Sequence, residues 1–270
     1  MPELPEVETV VRGLAPDLIG RKVVSVWTDW PRALDGSEPH LMESALDGRP
    51  LQRIFRRAKY ICLDFGGIYV VVHLRMTGRL YLSPNRSGDD RWVHVSLGLD
   101  DDRYLAFSDS RKFGRVSLCD SLDFLERKLG PEPLEMSDDA FSNLFRGSTR
   151  AIKTFLLDQS KIAGIGNIYA DEALLRAGIH PLTPVDRIPH NRARRLGQTI
   201  REVLDAAINY EGASISWYRK PDGSQGESQK HFWAYGRTHQ PCKVCGTTIE
   251  RIVVGQRSTH FCPKCQKKPR

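Results

Sequence analysis

The chain has 270 residues, 40% apolar and 27% charged, an ordinary globular composition long enough for two or three modules with real cores. No run approaches the roughly 20 apolar residues of a membrane span, and the N-terminus lacks the basic-then-apolar order of a signal peptide, so a cytosolic protein is expected. The formal net charge of +7 lies from residue 227 onward, where nine basic residues face two acidic ones; a basic end on a neutral body points to a polyanion, nucleic acid first, although a solvated basic tail gives the same count.

The chain opens Met1-Pro2-Glu3-Leu4-Pro5-Glu6-Val7-Glu8-Thr9, two Pro-Glu pairs before a helical pattern that continues through Val10, Val11 and Leu14. Pro2 beside the initiator methionine is a context in which Met1 is trimmed, and trimming exposes a secondary amine. An α-amino group has a reference pKa of about 7.7 to 8.0, so part of it is unprotonated and nucleophilic near neutral pH. Glu3 can supply or accept protons beside it, and Glu6 lies one helical turn on. Proline and acidic residues also suit the first turn of any helix, so plain helix initiation stands as the alternative.

Gly20 is placed to end that helix. Short runs rich in β-branched and aromatic residues follow at 23–27, 51–55, 60–65, 69–74, 79–82, 92–99, 104–108 and 115–118, separated by Gly or Asp clusters. Strands at this spacing without helices between them imply an antiparallel sandwich or barrel. The prolines of Leu129-Gly130-Pro131-Glu132-Pro133 mark a boundary. Beyond it the period is helical: 151–158, then the two turns of Ala163-Gly164-Ile165-Gly166-Asn167, a helix over 168–175 stopped by Gly178, and an amphipathic helix over 189–210. The glycines could admit a phosphate to backbone N–H groups at a helix start, or serve only the bend, with Asn167 an ordinary N-cap. Tyr218 to Lys230 reads as a flexible loop, either a linker or a mobile lid.

Of six cysteines, Cys62 and Cys119 sit in apolar, strand-like surroundings as inert thiols. Cys242, Cys245, Cys262 and Cys265 form C-x2-C, sixteen residues, C-x2-C, the spacing with which two knuckles hold one structural Zn2+. A redox dithiol is disfavoured, because there are two such units and neither lies in a βαβ setting. Arg257, between the knuckles, is expected at a hairpin tip, within reach of a phosphate.

The opening segment, Gly166-Asn167-Ile168-Tyr169-Ala170-Asp171-Glu172, Tyr235-Gly236-Arg237 and the four-cysteine hairpin together resemble bacterial formamidopyrimidine-DNA glycosylase, in order and over essentially the whole chain. The resemblance implies an α+β protein: an N-terminal antiparallel β-sandwich with an N-terminal helix over 1–128, a linker over 129–136, a helix-two-turn-helix domain with a lesion-recognition loop over 137–226, and a zinc hairpin over 227–270. It implies removal of oxidised purines from damaged double-stranded DNA, and strand cleavage at the abasic site, by a monomer in the bacterial cytoplasm. By resemblance Pro2 is the nucleophile, Glu3 the proton donor to the sugar and Glu6 a supporting group. Lys59, His73, Asn167 and Arg257 fall on phosphates around the extruded nucleotide, Lys59 and Arg257 counting with the catalytic set, and Tyr235 lies near the backbone. Lys153 falls near the damaged base, and Met76, Arg111 and Phe113 match the residues that fill the gap left by a flipped base. By their own surroundings, His73, Met76 and Phe113 would read as core.

The loop around 217–231 follows the family loosely, which leaves lesion preference open. An endonuclease VIII-like enzyme for oxidised pyrimidines and a non-catalytic zinc-dependent DNA-binding protein are the rivals. Intact-mass measurement separates the last: the account expects a mass lower by one methionine, whereas retained Met1 blocks the amine and favours the binding protein.

Overall fold

The computed structural model describes residues 1–87 and 90–269. The chain divides into two compact units, one of Met1–Arg127 with Tyr210–Glu227, the other of Lys128–Asn209 with the residues from Ser228 onward.

The first unit is built on helix α1 (Leu4–Leu18) and strands β1 (Val23–Thr28), β2 (Arg53–Arg57), β3 (Tyr60–Asp64), β4 (Tyr69–His73), β5 (Gly78–Ser83), β6 (Val93–Leu99), β7 (Tyr104–Asp109) and β8 (Arg115–Cys119). They form two four-stranded antiparallel sheets, ordered β1-β6-β7-β5 and β2-β3-β4-β8. Alternation explains the sandwich. Ile61 and Leu63 pair with Val72 and Val70 across β3 and β4, Val95 and Leu97 pair with Phe107 and Leu105 across β6 and β7, and all eight share one core. Val7, Val10, Val11, Leu14 and Leu18 of α1 recur at helical spacing and join that core. Gly20, at φ +88, turns the chain out of the helix.

Helix α2 (Pro39–Leu46), absent from the sequence reading, buries only Met42 and Leu46, too short a stripe to give a clear period. Residues 210–226, which the domain expectation groups with the helical module, cluster by contact, together with Glu227, in this unit. The ends of this segment are pinned, Glu227 N–H donating to Tyr210 O at 2.8 Å and Ala213 bridging Glu227, so it is a closed loop.

The second unit carries helices α3 (Asp123–Lys128, its last residue only), α4 (Asp138–Asn143), α5 (Ile152–Leu157), α6 (Asn167–Arg176) and α7 (His190–Asn209), and the hairpin of β9 (Glu250–Val254) and β10 (Arg257–Phe261). The proline-rich stretch from Leu129 is packed on this unit: Gly130 N–H donates to Gln159 O at 2.8 Å and Ala163 N–H to Pro131 O at 3.0 Å. α7 buries Leu196, Ile200, Val203, Leu204, Ala207 and Ile208 along one face, as its period requires. No described helix is long and apolar enough to cross a membrane.

Candidate active site

The start of α1 is enclosed. Pro2 is buried behind the exposed Met1, and the carboxyl-bearing residues Glu3 and Glu6 are 3% and 1% exposed. An ordinary helix start leaves such groups in water, because a buried carboxylate is costly unless hydrogen bonds satisfy it. Glu6 Oε2 accepts the Glu3 N–H at 2.8 Å within a capping box, and Oε1 accepts the Ala213 N–H at 2.8 Å. Gly212, at φ +78, makes the second bond possible: a Cβ there would lie 3.0 Å from Glu6 Cγ. Beside it Tyr218 donates to Glu211 O at 3.2 Å, and burial together with the Glu6 charge holds its phenol well above the ordinary range, so it stays a donor. Glu8 Oε2 accepts from Arg56 Nε at 3.0 Å, tying α1 to β2.

Strand register gathers the other unit-one candidates at one end of the sandwich. Lys59 lies in the β2–β3 turn, where Ala58 takes φ +53, and it is 5% exposed. The next residue, Tyr60, pairs with His73, their rings meeting edge to face at 4.5 Å. His73 Nδ1 accepts the Arg75 N–H at 3.0 Å, which leaves the ring proton on Nε2. Met76 and Phe113 are 37% and 49% exposed, so their surroundings are not core, and the Arg111 guanidinium lies 4.7 Å from the Phe113 ring centroid.

In the second unit α6 is the organiser. Its N-cap is Gly166 rather than Asn167, whose Nδ2 donates to Ser258 O on β10 at 2.9 Å. Asp171 accepts from the Lys153 ammonium through Oδ1 and from the backbone N–H and Nδ1–H of His260, each at 3.0 Å, through Oδ2. Lys153 also donates to Asn167 O at 2.9 Å, and its side chain is 0% exposed. This ammonium is enclosed, its charge is matched by Asp171, and it holds the Asn167 carbonyl at the start of α6.

Glu172 accepts N–H bonds from Trp233, Ala234 and Tyr235 at 2.8 to 3.0 Å, which fixes Tyr235 with its ring 5.1 Å from that of His260. Burial pushes its carboxyl up, and those N–H groups oppose the shift. Arg257 follows the two-residue β9–β10 turn, in which Gly255 and Gln256 have φ +54 and +62, a type I′ geometry that suits the hairpin twist. It is exposed there.

Cys242, Cys245, Cys262 and Cys265 place their Sγ atoms within 4.8 Å of one another. The separations Cys245–Cys265, Cys245–Cys262 and Cys242–Cys265 are 3.4, 3.5 and 4.0 Å. They lie around the edge of about 3.8 Å that a tetrahedron with bonds of about 2.3 Å requires, and are far beyond a disulfide bond. The donor set fits one Zn2+ with no open position, a structural role.

Residues 1–116 match the formamidopyrimidine-DNA glycosylase N-terminal domain, 129–219 its H2TH domain, and 240–268 a zinc finger found in FPG and IleRS. The formamidopyrimidine-DNA glycosylase of Herpetosiphon aurantiacus is 47% identical over 273 residues, covering 98% of this chain and 100% of that protein. That of Chloroflexus aurantiacus is 47% identical, covering 98% of each. Among solved structures, Lactococcus lactis Fpg bound to DNA with an abasic site superposes with a TM-score of 0.90 at 37% identity, covering 98% of this chain and 100% of that one. The same protein bound to DNA containing Fapy-dG gives 0.89 at 37%, with the same coverage.

Two outcomes follow from the geometry. Glu6→Gln keeps the side-chain shape but offers a single acceptor oxygen, which leaves one of the two N–H groups unpaired; a loss of about 1 to 3 kcal/mol in a urea titration is expected, and unchanged stability would contradict the tie. Cys245→Ser is expected to lose zinc, measured by elemental analysis, together with order in the hairpin, because metal binding supplies much of a small module's folding energy.

Proposed function

The chain belongs to the formamidopyrimidine-DNA glycosylase family, and from that premise we propose how its residues remove oxidised purines from duplex DNA and cut the strand at the abasic site. With Met1 removed, the Pro2 nitrogen bonds to C1′ of the damaged nucleotide. Glu3 delivers a proton to O4′ as the C1′–O4′ bond opens. The damaged base leaves with the electron pair of the glycosidic bond and takes up the proton that the Pro2 nitrogen loses, and the Pro2 nitrogen and C1′ remain joined as an iminium. That cation acidifies the C2′ hydrogens, so loss of a proton expels the 3′-phosphate and a second elimination expels the 5′-phosphate. Glu6 fixes the backbone under Glu3 and Pro2, the role its two N–H bonds support.

Lys59, the Nε2–H of His73, Asn167, Arg257 and Tyr235 hold the phosphates and backbone around the lesion. Cation and N–H donors are what phosphate oxygens require. Met76, Arg111 and Phe113 enter the stack in place of the extruded nucleotide, for which two exposed apolar side chains and an exposed guanidinium are suited. Zinc, when bound, only holds the Cys242–Cys265 hairpin and takes no part in the chemistry. The protein works as a monomer on chromosomal DNA, in the bacterial cytoplasm.

The observation that carries this reading is the pair of carboxyl-bearing residues buried at the chain start, Glu3 at 3% and Glu6 at 1%. Borohydride added during turnover of a duplex with one 8-oxoguanine opposite cytosine should trap a covalent complex. Pro2→Gly should lose most of that trapping while still binding a duplex with a tetrahydrofuran site. Full trapping in Pro2→Gly would remove Pro2 from its role.

A further inference from the structure

The loop that presents Arg111 and Phe113 is Asp109-Ser110-Arg111-Lys112-Phe113-Gly114, and its first residue is 0% exposed. Asp109 Oδ1 accepts the Arg111 N–H at 3.2 Å, and Oδ2 accepts the N–H groups of Phe113 at 2.8 Å and Gly114 at 2.7 Å. The Asp109 carbonyl accepts the Lys112 N–H at 3.1 Å, and Lys112 takes φ +57. One side chain therefore determines the backbone under both exposed groups.

The same carboxylate accepts from Thr77 Oγ1, in the turn between β4 and β5 and adjacent to Met76. Strand pairing supports this link: Asp109 lies opposite Gly78, where a Cβ would come 2.3 Å from Leu74 O. Gly114 closes the other side, since a Cβ there would lie 2.3 Å from the Phe107 ring. Met76, Arg111 and Phe113 come from two separate turns, and Asp109 is the group to which both turns are bonded.

We propose that Asp109 is the positioning residue of the wedge, holding Met76, Arg111 and Phe113 as one preorganised unit so that the Arg111 guanidinium meets the base opposite the lesion in a fixed orientation. The proposal rests on the wedge reading of those three residues. Its physical basis is that a carboxylate accepts through two oxygens at once, whereas an amide keeps one acceptor oxygen and puts an NH2 donor in the other's place. A guanidinium discriminates cytosine from adenine only if its donors are aimed; freed by about 1 Å, it still attracts DNA but reads neither base. A merely structural residue would slow both substrates together, whereas a positioning residue changes their ratio.

The experiment is single-turnover excision of 8-oxoguanine opposite cytosine and opposite adenine, in wild type, Asp109→Asn, Arg111→Ala and the double variant, with melting temperature and zinc content as controls. A bidentate contact is worth about five- to two-hundredfold in discrimination. Asp109→Asn is expected to reduce the cytosine-over-adenine ratio at least about fivefold, chiefly by slowing the cytosine case. Adding it to Arg111→Ala should change the ratio no further, because both act through one contact. A wild-type ratio in Asp109→Asn, with Arg111→Ala lowering it, overturns the proposal and leaves the wedge reading intact. A wild-type ratio in Arg111→Ala overturns the wedge reading, and the proposal with it. Should Asp109→Asn fail to fold, Thr77→Val takes its place: the same direction of change is expected, and an unchanged ratio overturns the proposal.

Discussion

Two backbone N–H groups converging on the Glu6 carboxylate are the constraint on which the rest depends. A chain terminus is ordinarily the least ordered part of a domain. Chemistry at a terminal amine needs the opposite, a nitrogen held within about 0.5 Å of its productive place. Leu4, Val7 and Val10 anchor the first turns of the helix in apolar surroundings, but apolar packing alone would let the preceding residues fray. The bond to the Glu3 N–H stops fraying from within the helix, and the bond to Ala213 N–H ties that turn to a segment more than 200 residues on.

The same device recurs where a buried carboxylate fixes backbone next to the other candidate residues. Asp109 fixes the turn of Arg111 and Phe113, Asp171 holds both the Lys153 ammonium and the backbone of His260, and Glu172 holds the stretch leading to Tyr235. In each case an acceptor-only side chain, 0 to 1% exposed, collects N–H groups that strand pairing and helix bonding leave open. Each carboxylate satisfies backbone N–H groups that in turn satisfy its oxygens, so the carboxylate and the backbone stabilise each other. Removing one donor therefore costs more than one ordinary surface hydrogen bond.

How much of this was legible in the sequence follows from the range of the interactions. The strands of the sandwich, the long α7 and the two knuckles are local patterns, period two, period near four and a fixed spacing, and they read directly. Helices α2 and α4 are too short to show a period. The placement of Tyr210–Glu227 with the first unit depends on Glu6 and Ala213, which nothing local connects. Asn167 reads as an N-cap by type, yet Gly166 takes that position and the amide is directed to Ser258 O. Lys153 carries no local sign of burial, because its partner Asp171 lies 18 positions away. Asp109 carries no signal of its own in the sequence. That it organises the wedge follows from three N–H groups within five residues of it, a turn geometry that composition does not reveal.

The central claim is that the nitrogen of Pro2 forms the bond to the sugar. Borohydride-trapped complex digested with protease and nuclease, then sequenced by tandem mass spectrometry, locates that bond by its mass on one residue. The account predicts a reduced sugar adduct on the nitrogen of a peptide that begins at Pro2. An adduct on Lys59 or any other lysine, or an unmodified peptide that still begins with Met1, would contradict it.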